Sequence, residues 1–370
     1  NLINQNNKSK TLYTNIKINN SMKRDKMNKR YYAVALLICL ILLVSACKKS
    51  GASAGGAPRT PFIGGTSGIT INFEKDSPPP EVTDDESFSF NAIVRLKNDG
   101  EAKVEKNDMR LNLVGFDPND FGKNFEDLKD QQPEDLLDAK KRDAEGNIVD
   151  GTTTFATFPK GGTGDFFNPR KFSGNTEFTF RADACYHYKT EANTKVCVLR
   201  DMINVRDDSL CKPTSSRTVY SSAAPVQVSN FRQTVVGKDK LSFSFDISLS
   251  GNVDIFWDKQ ESKPSSFDNG CPRDPRARRE RESNVGVEIL EIPVDPVFSS
   301  PKCGGLDAGH KGVIKLVSGK RTITCTVDLA TDRLDLEKTV GIRLIYNVLD
   351  NKETKVLVKH LATEGGVASS

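Results

Sequence analysis

Eight cysteines are the residues of this sequence whose chemistry is easiest to foresee. Cys39 and Cys47 lie in or just after an apolar stretch. The other six, Cys185, Cys197, Cys211, Cys271, Cys303 and Cys325, are spread through a polar body. Thiols of this second kind either oxidise in pairs or ligate metal. Ligation calls for CxxC or His/Cys clusters, and none is present, so disulfides and an oxidising compartment are expected. The histidines are equally scattered. His187 sits between Tyr186 and Tyr188, an outward position on a strand; His310 lies in a Gly-rich turn; His360 ends the last strand. No GxSxG, HExxH, Walker loop or GxGxxG occurs, and no Ser/His/Asp set is singled out. The acidic groups Asp84-Asp85-Glu86 and Asp117–Asp120 could offer oxygens to Ca²⁺. They lack EF-hand spacing, and acids in loops are ordinarily just solvated. The run Cys271–Ser283 carries Arg273, Arg276, Arg278, Arg279 and Arg281, a basic loop that could engage an anionic polymer. Asp274, Glu280 and Glu282 partly balance it, and a solvated loop is the preferred reading. The expectation is a non-enzyme with no catalytic residue, no cofactor and no metal.

The stretch Met27–Cys47 positions everything else. Lys29 and Arg30 precede the unbroken apolar run Ala33–Val44, which is followed by Ser45-Ala46-Cys47. A basic head, a short apolar run and small residues make a secretory signal peptide. The run is too short to span a bilayer, which takes about 20 residues. Val44-Ser45-Ala46-Cys47 resembles the lipobox of lipoprotein signal peptides. That resemblance implies cleavage before Cys47, a lipid on its sulfur, and a cell-surface location on the outer face of the membrane. Residues 1–21 read as a translated leader ahead of a start at Met22 or Met27. Residues 1–46 hold eight of the 53 Lys and Arg and one of the 49 Asp and Glu. The remainder has 45 basic against 48 acidic residues, which removes the charge argument for nucleic acid.

After Cys47, residues 48–68 are rich in Gly, Ala and Ser and read as a flexible tether. Strands then follow at short intervals. Ser87–Leu96 places Phe88, Phe90, Ala92 and Val94 on one face at period two, a half-buried strand. Phe121–Ala144 departs from this pattern and reads as a charged surface insertion with a short helix. Asn175–Tyr188 and Lys195–Leu199 read as a closing hairpin turning at Thr190–Asn193. After a polar connection the plan restarts. Ser87-Phe88-Ser89-Phe90 recurs as Ser242-Phe243-Ser244-Phe245. Tyr186 with Thr194-Lys195-Val196-x-Val198 recurs as Tyr346 with Thr354-Lys355-Val356-x-Val358. The fold class expected is all-β: two tandem antiparallel β-sandwiches that fold independently. Domain 1 covers 69–212 with its insertion at 121–144. A linker covers 213–222, domain 2 covers 223–362, and 363–370 is a tail.

The motifs GTxGIxxxF…PP at Gly65–Pro80, FxxxxxLKNxG at Phe90–Gly100, ACYxYxTxAxxxVC at Ala184–Cys197 and LVxGxxxxxC at Leu316–Cys325 carry a resemblance. The chain is similar to a recurring group of uncharacterised archaeal surface lipoproteins with tandem immunoglobulin-like domains. The resemblance implies a membrane-anchored, immunoglobulin-like architecture and supplies no activity. The charged insertion and the basic loop depart from it. The function expected is a lipid-anchored module for binding, adhesion or envelope structure, with an extracellular protein or glycan as partner. The alternative is a solute-capturing or enzyme-associated lipoprotein.

Alternation also orients the cysteines. Phe178, Phe180, Ala182, Ala184, Tyr186 and Tyr188 share one face, so Cys185 points the other way. A hairpin turning at Glu191 would set Cys185 opposite Cys197, and that pairing is expected, with Cys197–Cys211 competing. Cys325 points inward with Ile323, Val327 and Leu329, which suggests Cys303–Cys325 and leaves Cys211 for Cys271.

Overall fold

The computed structural model describes residues 60–86, 88–290 and 297–361. The expectations for the leader, the signal peptide, Cys47, the first part of the tether and the tail therefore lie outside the described residues. The principal strands are β1 (Ile69–Phe73), β2 (Ala92–Asn98), β3 (Met109–Val114), β4 (Thr153–Phe158), β5 (Thr176–Val198), β6 (Val226–Gly237), β7 (Lys240–Leu249), β8 (Asp254–Phe256), β9 (Asn284–Leu290), β10 (Lys311–Lys315), β11 (Lys320–Asp328) and β12 (Leu336–Lys359). Two short helices, α1 (Phe267–Gly270) and α2 (Pro275–Arg281), follow β8. The all-β expectation holds, in several antiparallel sheets.

Two strands organise the molecule. β5 and β12 pair antiparallel along their whole common length, from Thr176 opposite Val358 to Val198 opposite Leu336. At about 3.3 Å per residue, the 23 residues of β5 run for roughly 75 Å. β3 flanks one end of β5, and Tyr220–Ser221 flanks the other. Along the free side of β12 lie β9, β8 and the short parallel strand Glu81–Thr83.

The expected hairpin is therefore absent, and the chain does not turn at Thr190–Asn193. The reason is local. That stretch has no Gly or Pro to reverse the backbone, and its groups find partners in β12 and in Tyr220–Ser221. In the same way β12 runs straight through Asp350–Glu353.

The matching stretches at the back of each half lie on β5 and β12, and they face each other only at Tyr186–Tyr188 and Tyr346–Val348. Tyr186 faces Val348 and Tyr188 faces Tyr346, so the copies run outward in opposite directions from the pair His187–Asn347. Thr194–Val198 ends up at one extremity of the ladder and Thr354–Val358 at the other. The front match does not correspond. Ser89–Phe90 is a two-residue strand against Phe166–Phe167, whereas Phe243 and Phe245 lie within the ten-residue β7.

Alternation predicted the inward face correctly. Phe180 joins Phe90, Phe121 and Phe166 in an aromatic cluster with ring centroids 5.2–6.2 Å apart. The sheet β1-β2-β4 meets the spine where the Ile69 amide donates to Tyr186 Oη. The sheet built on β6, β7 and β11 meets it where the Val226 amide donates to Tyr346 Oη and Thr190 Oγ1 donates to the Val226 carbonyl. One continuous hydrophobic core joins both ends. The split at 213–222 therefore does not divide the packing, because the described residues belong to one compact unit and each half contributes one strand of the shared ladder.

Two smaller expectations also change. Residues 60–68 of the tether are held: the Glu101 carboxylate accepts from the amides of Ile63, Gly64 and Ala223 at 2.7–2.9 Å. The insertion 121–144 is not purely superficial, since Phe121, Leu128 and Leu137 are fully buried. These three apolar residues fasten a segment whose remaining side chains are mostly charged or polar.

Candidate functional site

The features most able to do chemistry lie on the outer face of the long ladder, near its centre. β8 pairs with β12 at Asn347–Leu349, and β9 pairs with it at Gly341–Ile345. The two short strands thus lie end to end along one flank. Trp257, the residue after β8 and the only tryptophan of the chain, comes down over β9. Gly286 makes this possible, because a Cβ there would stand 2.6 Å from Trp257 Nε1. Trp257 is 4 % exposed, and its ring lies 5.3 Å from that of His187.

Beside Trp257 is a cleft of about 130 Å³. Ile345, Gly286 and Val313 form one row across β12, β9 and β10, as their register requires, and all three line the cleft. Glu288 and Lys311 form the next row. Two ion pairs join the segment after Trp257 to the start of β10 and the loop before it: Lys311–Glu261 at 2.7 Å and Lys259–Asp307 at 2.6 Å. Arg343 pairs with Glu288 at 3.3 Å, and Arg281 lies 3.1 Å from Asp258.

His187 is outward, as expected, yet it is covered. Its Nδ1 lies 3.1 Å from Asn347 Oδ1, while Asn347 Nδ2 donates to the carbonyls of Ser262 and Gly270. The amide orientation is thereby fixed, so His187 Nδ1 carries the proton and donates. Burial holds this imidazole below its ordinary range and keeps it neutral. The thiol two residues away is no nucleophile, because Cys185 is bonded to Cys271.

That disulfide corrects the expected Cys185–Cys197 pairing. Both cysteines lie on β5, twelve residues apart, or about 40 Å along a strand. Cys185 does point outward, and it reaches the loop after α1, where Phe256 and Phe267 shelter the bond. Cys197 bonds Cys211, the competing pairing, so Cys211–Cys271 is also replaced. Cys303–Cys325 forms as expected, between residues paired in register.

The basic loop is largely matched by its own surroundings. Asp274 caps α2 through the amides of Arg276 and Ala277. Arg273 pairs with Asp183 and covers the Phe267 ring, and Arg278 pairs with Asp254 and Glu282. Of the acidic groups, Asp117 caps a turn of 3-10 helix through the Asn119 amide. Among the described residues no cluster of His, Cys, Asp and Glu is placed to hold a metal ion. His310 stands beside Ser300, at 3.4 Å.

Asp84 is buried and accepts from the amides of Leu361 and Phe172, with His360 Nδ1 at 2.6 Å. The Leu361 amide and then the His360 side chain hold its carboxyl down at about 2. An unfolded aspartate takes up its proton near 3.8. The stabilisation is therefore complete above that pH and is lost as pH falls through about 2. Urea unfolding at pH 5 should show the native protein to be more stable than Asp84→Asn, and the difference should close by about pH 2. A difference independent of pH would show that Asp84 does not act through its charge.

No protein-family model matches the sequence, and no curated protein matches it. The cleft was not legible beforehand. Its one sequence signal is the lone tryptophan followed by Asp258, Lys259 and Glu261, and the apolar floor is supplied by residues far away in the chain. The arrangement is a small cleft lined by Trp257, Ile345 and Val313, with paired charges around it.

Proposed function

We propose that this chain is an exported protein, anchored by a lipid on Cys47, that acts at the cell surface as a non-catalytic module for binding, adhesion or envelope structure. The three disulfides are the observation that carries this reading. They account for all six cysteines of the body and suit an oxidising environment. Among the described residues no helix is long and apolar enough to cross a membrane, and the lipobox-like Val44–Cys47 supplies the means of attachment. Mass spectrometry of the membrane fraction tests it. The expected N-terminal peptide begins at Cys47 and carries lipid. An intact chain retaining Met27–Ala46 would overturn the proposal. The cleft beside Trp257 favours a second reading within the same setting, in which the protein captures a solute.

A further inference from the structure

We propose that the cleft beside Trp257 binds a neutral sugar ring, and that the ion pairs Lys259–Asp307 and Lys311–Glu261 close its mouth. The inference rests on the reading of this chain as an exported binding protein and names the ligand class of one site. The first argument is shape. Ile345 and Val313 lie on either side of Gly286 on three adjacent strands, the Trp257 ring packs onto Gly286 between them, and all four residues line the cleft. A volume of about 130 Å³ is below the roughly 300–1,000 Å³ of sites for drug-sized ligands. It suits one ring, with any attached chain left in solvent.

The second argument is charge. Each acid lining the cleft has a cation beside it: Asp307 has Lys259, Glu261 has Lys311, Glu288 has Arg343 and Asp258 has Arg281. A charged ligand would have to displace one of these pairs without any excess of opposite charge to draw it in. A neutral ligand meets no such opposition. It would find oxygen acceptors and ammonium donors at the rim. A pyranose matches this set, with C–H groups for the apolar row and hydroxyls for the rim.

The third argument is access. Both clasping pairs are exposed, with side-chain exposures of 46–74 %. Ion pairs in that setting hold weakly and are screened by salt. The mouth can therefore open without disturbing the sheet beneath it.

Because Trp257 is the only tryptophan, its emission reports on the cleft alone. The full-length protein is titrated with glucose, galactose, mannose and N-acetylglucosamine, and separately with glucuronate and inorganic phosphate. The expected result is a saturable change in emission with at least one neutral sugar and none with the two anions. Val313→Phe fills the row from a strand at the sheet edge and should weaken that binding at least tenfold while leaving the melting transition in place. Asp307→Asn and Glu261→Gln open the clasp and should speed association in stopped flow. Emission unchanged by every neutral sugar would overturn the proposal. A response to the anions alone, or undiminished binding in a folded Val313→Phe, would overturn it equally. The titration is blind to lipidation and the mass of the N-terminal peptide is blind to the cleft, so the two proposals can fail separately.

Discussion

Expressed apart, residues 60–212 and residues 213–361 should each fail to give a soluble protein with a cooperative melt. The sequence alone argues the contrary, since each segment holds a full set of alternating strands. The structure reverses the expectation through one ladder. Residues Thr176–Val198 belong to the first segment and Leu336–Lys359 to the second, and each is the other's partner throughout. Moreover, each long strand also bonds to the other half: Thr190 Oγ1 donates to the Val226 carbonyl, and the Asp84 amide donates to the Lys359 carbonyl. Cutting the chain would leave two unpaired edges of 23 and 24 residues, and long bare edges aggregate. It would also leave Cys185 without Cys271. The two pieces refolded together should regain β-rich circular dichroism and a single transition, because every contact is then available. A cooperative melt from either piece alone would show that the ladder is dispensable.

Replacing Arg333 by Met should cost about 3 kcal/mol, since a backbone carbonyl that loses its donor in a buried site costs about 1–3 kcal/mol. The Arg333 side chain is wholly inaccessible, and all five of its N–H groups are used. Nε donates to the Leu199 carbonyl, Nη1 to Asp239 and the Ala330 carbonyl, and Nη2 to the Arg200 and Lys238 carbonyls. One guanidinium thus ties the end of β5, the β6–β7 turn and the loop after β11. Without it four carbonyls and a carboxylate lose their donor, and a methionine offers none. Lysine, with three donors on a single nitrogen, should recover only part of the loss. Urea unfolding of both variants measures it, and a loss under 1 kcal/mol for Arg333→Met would show that water fills the site freely.

What the sequence disclosed follows from what is local. The inward set from Phe178 to Tyr188 and the outward turn of Cys185 depend only on the alternation of a strand, and both hold. Where the strand ends depends on its partner. Thr190–Asn193 looks like a polar turn until it is set against Ile342 and Gly341. The disulfides divide the same way. Cys303–Cys325 joins neighbours in register, whereas Cys185–Cys271 spans 86 residues and needs the position of α1. The cleft lay beyond reach for this reason too. Its floor takes one residue from each of three strands that meet only once β12 is in place.

The timing of synthesis follows from the same ladder. Thr176 waits for Val358, so the first residue of one long strand is paired with nearly the last residue of the other. While the chain is being made, β5 has only β3 and Tyr220–Ser221 beside it until Leu336–Lys359 emerges. Contacts so distant in sequence also form slowly once both strands are present. The central ladder therefore closes only after Leu336–Lys359 has been made, whatever else has folded before it.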